Sequence, residues 1–286
     1  MLENFITRFY IFCLKLVSLL PFWVLYLLSD FLFFILFYVL KYRKKVVDDN
    51  LLHSFPQKTA QERKVIAKQY FSYLADLIVE TIKMISISAY NAKKRFHILN
   101  PELLESYVNQ GRNITVVAGH YGNWEMANVV GFCTNKKKLV IYKPLTNKIF
   151  DQFLNSVRSK FSVLMVPMKM VMRKMVELRN EPTISFFLCD QTPVYHEANY
   201  FTTFLNQKTA VFLGVEKIAK STNSVVVFCK VNCIKRGYYT CEFIPLIDEP
   251  LKTKEFEITE NHVKFLENII NQEPKYWLWS HKRWKF

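Results

Sequence analysis

One histidine stands where a general base would be placed. The run Ile114-Thr-Val-Val-Ala leads into Gly119-His120-Tyr121-Gly122-Asn123-Trp124-Glu125, a β-branched strand pattern that breaks at a glycine and resumes as a helix that Asn123 can cap. In open α/β sheets, ligands bind beyond the carboxyl ends of the strands. The chain has only six glycines, and two flank this histidine, as expected where a ligand approaches the backbone closely. Glu125, in the first helical turn, can fold back to the imidazole. A carboxylate on one ring nitrogen fixes the tautomer and raises the basicity of the other, which suits proton abstraction from an alcohol. A structural histidine followed by an acidic residue that answers the helix dipole fits the same spacing, and spacing alone does not choose.

Such a base needs a sheet to carry it. Beyond Asn50, strand-like and helical apolar runs alternate over 114–119, 124–132, 139–142, 149–160, 163–166, 168–178, 184–188 and 209–219. That alternation predicts an α/β fold with a mixed, largely parallel central sheet flanked by helices. An amphipathic helix is expected over 61–85, an antiparallel hairpin over 224–234 and 238–246 around Lys235-Arg236-Gly237, and a last helix over 256–271. The first forty residues differ: 16–29 carries no charge and 31–40 is wholly apolar, with Pro21 placed to begin a helix. The length suits a bilayer core, but Asp30 at its centre would be costly against lipid. An inserted or interfacial helical hairpin and a clean span both fit. No small-residue cleavage site follows, whereas the basic cluster Lys41, Arg43, Lys44, Lys45 does, so this end is expected on the cytoplasmic face. The division is a membrane-associated segment over 1–45 and an α/β domain over 46–286.

Composition narrows the function classes. With 51% hydrophobic residues and few Gly and Pro, the chain is neither disordered nor of low complexity. An excess of 39 Lys+Arg over 24 Asp+Glu, a formal net charge of +15, implies a polyanionic neighbour: nucleic acid, anionic lipid or an acidic carrier protein. Six cysteines without a CxxC pair argue for buried thiols in a reducing compartment. No group has metal-ligand spacing, so no metal is expected.

Taken together, the motifs resemble the lipid A biosynthesis acyltransferases, the lauroyl and myristoyl transferases within the wider lysophospholipid acyltransferase group. His120-x4-Glu125 is similar to that family's His-x4-Asp/Glu signature. The likeness continues in order through Tyr42-Arg43, Asn50-Leu51, Phe55-Pro56, Glu80, Tyr142-Lys143-Pro144, Asp190-Gln191, Phe204-Leu205, Thr209 and the tail from Pro274 through Tyr276, Trp279, His281 and Arg283 to Lys285. Two positions depart: Lys143 stands where the family usually has Arg, keeping charge but losing the bidentate fork, and Thr192 replaces an acidic residue. Both bear on the acceptor headgroup. The resemblance implies transfer of a fatty acyl group from a thioester, acyl carrier protein or coenzyme A as co-substrate with no further cofactor, to a hydroxyl of a lipid acceptor at the bacterial inner membrane. His120 would be the base and Glu125 its orienting carboxylate. Asn123, Tyr142, Lys143, Arg158, Asp190, Gln191 and Thr209 would bind substrate, with Lys143 and Arg158 meeting the oxyanion or an acceptor phosphate. Asp190 and Gln191, at the end of the 184–188 strand, belong on the same sheet edge as His120, although Asp190 also fits a turn cap.

Other features have plainer readings. Met168, Met172, Met175 and Leu178 share one helical face and suit core packing better than an acyl groove. His53, His97, His196 and His262 are expected at the surface. Tyr276, Trp277, Trp279 and Trp284 beside Lys282, Arg283 and Lys285 suit a membrane-interface belt better than a nucleic-acid stacking strip, so the expected partners include the membrane and not nucleic acid. The rivals are the same chemistry on a lysophospholipid, aminolipid or other glycolipid, and a non-catalytic basic protein that binds membrane or nucleic acid.

Overall fold

The computed structural model describes residues 2–285. Helices α1 (Leu2–Leu19) and α2 (Phe22–Phe34) follow one another as a helical hairpin, one of the two arrangements left open by the sequence, and α2 runs on through a π-helical turn, Ile35–Val39. Three helices follow: α3 (Lys44–Ser54), α4 (Ala60–Lys83), opened by a Thr59/Glu62 capping box, and α5 (Ala89–Arg95). The α/β part then runs β1 (Phe96–Ile98), α6 (Pro101–Asn109), β2 (Ile114–Ala118), β3 (Lys137–Tyr142), α7 (Lys148–Arg158), β4 (Leu164–Pro167), α8 (Val171–Glu177), β5 (Thr183–Leu188), β6 (Phe201–Phe204), β7 (Gln207–Ala210), α9 (Gly214–Thr222), β8 (Val225–Lys235), β9 (Tyr238–Ile247) and α10 (Glu257–Gln272). Seven strands make one sheet in the order β1-β9-β8-β2-β5-β3-β4, and β6 and β7 pair apart from it. Only the β8–β9 hairpin is antiparallel within the large sheet, so the sheet is mixed and largely parallel, as expected.

The central strands are buried on both faces, which explains their unbroken apolar runs. Val117, Phe187 and Phe228 face a core shared with α4, α9 and α10, while Val116, Ile184 and Val227 face a second core with α5 and α6. The hairpin joins the first core: Leu36 and Phe37 are buried in it, and Leu25 is fully enclosed. Its other face is bare. Phe5, Phe9, Phe12, Trp23, Leu27 and Phe31 are all more than half exposed, and the stretch Phe22–Val39, long and apolar enough to cross a membrane, is only 22% buried. Asp30 does not stand alone on that helix: Arg236, at the β8–β9 turn, pairs with it at 2.6 Å.

Four local expectations change. Residues 124–132 form a 3-10 helix, Met126–Phe132, in place of a longer α-helix. The methionine face is divided, with Met175 and Leu178 buried but Met168 and Met172 exposed, because α8 starts only at Val171 after a 3-10 turn. His262 is interior, 3% exposed on α10, and the side chain of His196 lies outside the described residues. The tail tryptophans Trp277 and Trp279 are fully buried, since Arg43 and Asn50 hold the tail carbonyls of Ser280, Trp279 and His281 against the body. They line the core, not an interfacial belt.

Candidate active site

The β2–β5 register sets the site. Ala118 lies opposite Leu188, and the Cys189 amide extends the ladder to the Ala118 carbonyl, so residues two beyond each strand end meet. There the Asp190 carboxylate receives the His120 backbone N–H at 2.7 Å and the ring Nδ1 at 2.6 Å. Trp277 Nε1 donates to the same carboxylate at 2.8 Å. Burial would raise the Asp190 carboxyl, but the adjoining imidazole and these donors outweigh it and hold it at about 2. An ionised Asp190 requires the proton on Nδ1, leaving the Nε2 lone pair outward. The Gln191 amide lies 3.2 Å from Nε2, where its N–H donates to that lone pair. This is the tautomer a general base needs.

Small residues and buried donors shape the turn. A Cβ on Gly119 would come within 2.6 Å of Leu266 and 3.3 Å of Asp190 Oδ2. Gly122 has φ +61 and a Cβ there would meet Val231 at 2.6 Å, so the turn has room for glycine alone. Asn123 Oδ1 caps the 3-10 helix through Met126 N at 2.8 Å, while its Nδ2 donates to Glu80 at 2.6 Å. Tyr73 OH donates to the Gly122 carbonyl. Asn123 is therefore a capping residue, fully buried and out of reach of substrate.

Glu125 does not orient the imidazole. It forms a bidentate pair with Arg158, at 3.0 Å and 2.5 Å, and the hydrogen bonds to Glu125 and its charge raise the Arg158 guanidinium against the lowering effect of burial. The 3-10 helix points Glu125 toward α7, away from the sheet edge where Asp190 meets His120. Beside the pair lies a cavity of about 330 Å³, walled by Tyr10 and Leu14 of α1, Leu74, Leu77 and Ile78 of α4, and Phe150, Phe153 and Leu154 of α7, with Glu125 and Arg158 in its lining. Its size falls in the roughly 300–1,000 Å³ range of ligand pockets. Trp124 links the cavity to His120: it lines the cavity and stands edge-on to the His120 ring at 5.1 Å.

The remaining expected residues separate. Tyr142 OH takes the Asn155 amide at 2.8 Å, beside Arg158 on α7, and Lys143 follows it, exposed. Thr209 is 1% exposed, donates to the Gln207 carbonyl and accepts Trp284 Nε1 at 2.7 Å; it anchors the tail. Sequence reading missed Trp277 and Arg283. Arg283 is 3% exposed, donates to the Ala210 carbonyl at 2.7 Å and lines a small cavity behind Asp190 with His262. The signal was available in the density of Trp and basic residues in the tail, but a buried and a membrane-facing tryptophan look alike in composition. Among the described residues no cluster could hold a metal ion.

Comparison with known proteins finds relatives along the whole chain. The family model for bacterial lipid A biosynthesis acyltransferases matches residues 1–286. The chain is 23% identical over 249 residues to the lipid A biosynthesis palmitoleoyltransferase of Escherichia coli (strain K12), spanning 86% of this chain and 80% of that protein. It is 22% identical over 278 residues to the lipid A biosynthesis lauroyltransferase of the same organism, spanning 95% and 89%. A lipid A biosynthesis acyltransferase of Haemophilus influenzae is 22% identical over 235 residues, spanning 80% and 72%.

Proposed function

The chain belongs to the bacterial lipid A biosynthesis acyltransferase family and is an acyltransferase, and on that premise we propose that it transfers a fatty acyl group from a protein-borne thioester directly to a hydroxyl of a lipid A precursor at the cytoplasmic face of the inner membrane. His120 Nε2 takes the proton as the acceptor oxygen attacks the thioester carbonyl. Asp190, ionised and already bonded to Nδ1, stabilises the imidazolium that results. The tetrahedral intermediate collapses, the C–S bond breaks, and the leaving thiolate recovers the proton from His120. Arg158, in the lining of the apolar cavity, meets the oxyanion in this reading, and the cavity takes the acyl chain. A cysteine nucleophile is disfavoured at this edge, because burial and the Asp190 charge push the Cys189 thiol well up. The outward apolar face of α1 and α2 supports membrane association, and the net charge of +15 supports an acidic carrier as donor.

The observation that carries the reading is the oriented His120–Asp190 pair, joined through Trp124 to an apolar cavity of about 330 Å³. The test is acyl transfer by the purified enzyme, read by lipid mass spectrometry, with carrier-borne and coenzyme-A thioesters offered against a lipid A precursor, a lysophospholipid and an aminolipid. Gain of one acyl mass on the precursor, fastest from the carrier, is expected. Acylation of only the other lipids overturns the acceptor, and equal or faster transfer from coenzyme A overturns the donor.

A further inference from the structure

Of the two buried carboxylates among the described residues that the mechanism above does not use, Glu216 is paired with Lys220 and Glu80 is not paired with a cation. Glu80, near the end of α4, is 0% exposed and has no ion-pair partner among the described residues. Three neutral donors from three elements converge on it: Tyr26 OH of α2 reaches Oε1 at 2.9 Å, while Tyr239 OH of β9 and Asn123 Nδ2 of the active-site turn reach Oε2 at 2.8 Å and 2.6 Å. Burying a carboxylate without a cation is expensive. Burial, reinforced by Asp76, outweighs the three donors and raises Glu80 to about 7. An apolar residue would plug the same space at less cost, but it would leave two hydroxyls and an amide without an acceptor.

What the carboxylate secures is the relation between the hairpin and the base. Asn123 is gripped at both ends, by Met126 N and by Glu80, and it follows His120 by three residues. Tyr73, two turns earlier on α4, holds the intervening Gly122 carbonyl. One turn before Glu80, Asp76 receives Ser29 Oγ of α2 at 2.6 Å and pairs with Arg236, which also binds Asp30 of α2. The same helix thus holds α2 at two successive turns and the catalytic turn at two points. Glu80 is the side chain common to both sets.

We infer that Glu80 is a positioning residue, fixing the His120 turn through Asn123 and tying it through Tyr26 to the apolar hairpin, so that docking of α2 and alignment of the base are one event. The inference rests on the reading of His120 as base. The experiment compares wild type with Glu80→Gln, Asn123→Ala and Tyr26→Phe in detergent micelles, with His120→Ala in parallel. It measures single-turnover rate, KM for both substrates, melting temperature, and the rate at which diethyl pyrocarbonate modifies His120, resolved by mass spectrometry. A loosened turn predicts a fall in kcat of roughly 10- to 100-fold for Glu80→Gln, because small displacements of a reacting group cost that much, with KM within about twofold and faster His120 modification. Tyr26→Phe, which removes a single hydroxyl and keeps the packing, is expected to lose about fivefold, the worth of one hydrogen bond. The Glu80→Gln/Asn123→Ala double variant should be no slower than the slower single one. Folded Glu80→Gln and Tyr26→Phe enzymes with wild-type kcat and unchanged His120 modification, whatever their melting temperatures, overturn the inference alone. An active His120→Ala enzyme overturns the base and the inference with it.

Discussion

His120 and Asp190 are 70 residues apart in the chain and 2.6 Å apart in the fold. Parallel strands β2 and β5, with Ala118 opposite Leu188, deliver the two side chains to the same place, and Trp277 closes the far side of the carboxylate. Asp190→Asn keeps the shape but presents an amide that no longer dictates a proton on Nδ1 or balances an imidazolium. We expect single-turnover transfer to fall by about 10²–10⁴, the range for losing general-base function, with circular dichroism unchanged. The His120→Ala/Asp190→Asn double variant should be scarcely worse than His120→Ala, since the two act as a unit. A folded Asp190→Asn enzyme with a tenth of wild-type activity or more would remove Asp190 from the mechanism.

The Glu125–Arg158 ion pair stands apart from His120 and Asp190. Both side chains are mostly enclosed, 18% and 25% exposed, so removing one charge leaves the other poorly compensated. Arg158→Lys retains charge but loses the two-pronged grip. Both Glu125→Gln and Arg158→Lys should slow transfer by roughly tenfold or more, as expected for a displaced oxyanion donor. Combined with Asp190→Asn, Glu125→Gln should multiply the loss, because the residues share no partner. If the double variant is no slower than Asp190→Asn, Glu125 serves the imidazole after all.

These two pairs show where sequence is informative. The alternation of apolar runs was enough for a largely parallel sheet, and the Gly119-His120 pattern was enough to put this histidine just beyond a strand end. It was not enough for the partner, because Glu125 is the nearest carboxylate in sequence whereas strand register selects Asp190. Sheet register is set by side-chain packing across β2 and β5, and no local pattern around His120 encodes it. The same limit governs the tail. Trp277 is buried because Asn50 and Arg43, more than two hundred residues earlier, bind the carbonyls that follow it.

The apolar cavity carries its own consequence. Leu154 lies in its wall on α7, four residues before Arg158. Leu154→Trp fills space that a chain would occupy, and each methylene displaced from apolar contact costs about 0.8 kcal/mol. In competition assays with mixed acyl donors, the preferred chain should become shorter by two carbons or more. An unchanged chain-length profile in an active variant would place the acyl chain elsewhere.

Membrane attachment should resist salt. Attraction between basic residues and lipid headgroups is screened at high ionic strength, but burial of an apolar face is not. Sedimentation in 1 M salt, about a 3 Å screening length, should leave the protein with the membranes. Replacing Phe5, Phe9 and Trp23, which are 69%, 61% and 67% exposed, with glutamate should shift it to the supernatant with the fold intact. Release of the wild-type protein by salt alone would rule out insertion of the hairpin.

Acid sensitivity should begin well above the range where carboxylates titrate. His262 is enclosed on α10, and burial lowers it to about 4, despite Glu216 and Glu260 nearby. The unfolded chain takes up that proton near pH 6.5 and the native one only near 4. Between these values the unfolded state binds more protons, so stability is complete above about 6.5 and declines as pH falls toward 4, on the order of 1 kcal/mol per pH unit. His281, also lowered to about 4 by burial, adds a smaller share because it is partly exposed. Asp190 acts later and in the same direction: held at about 2, it contributes stability above its unfolded value and loses it as pH drops from about 3.9 through 2. His262→Gln removes the first of these titrations and leaves the others. Urea unfolding at pH 7.5 and 5.0 should therefore show a smaller stability difference in His262→Gln than in wild type, whatever the variant's absolute stability. Equal differences would mean that His262 is protonated inside the native fold.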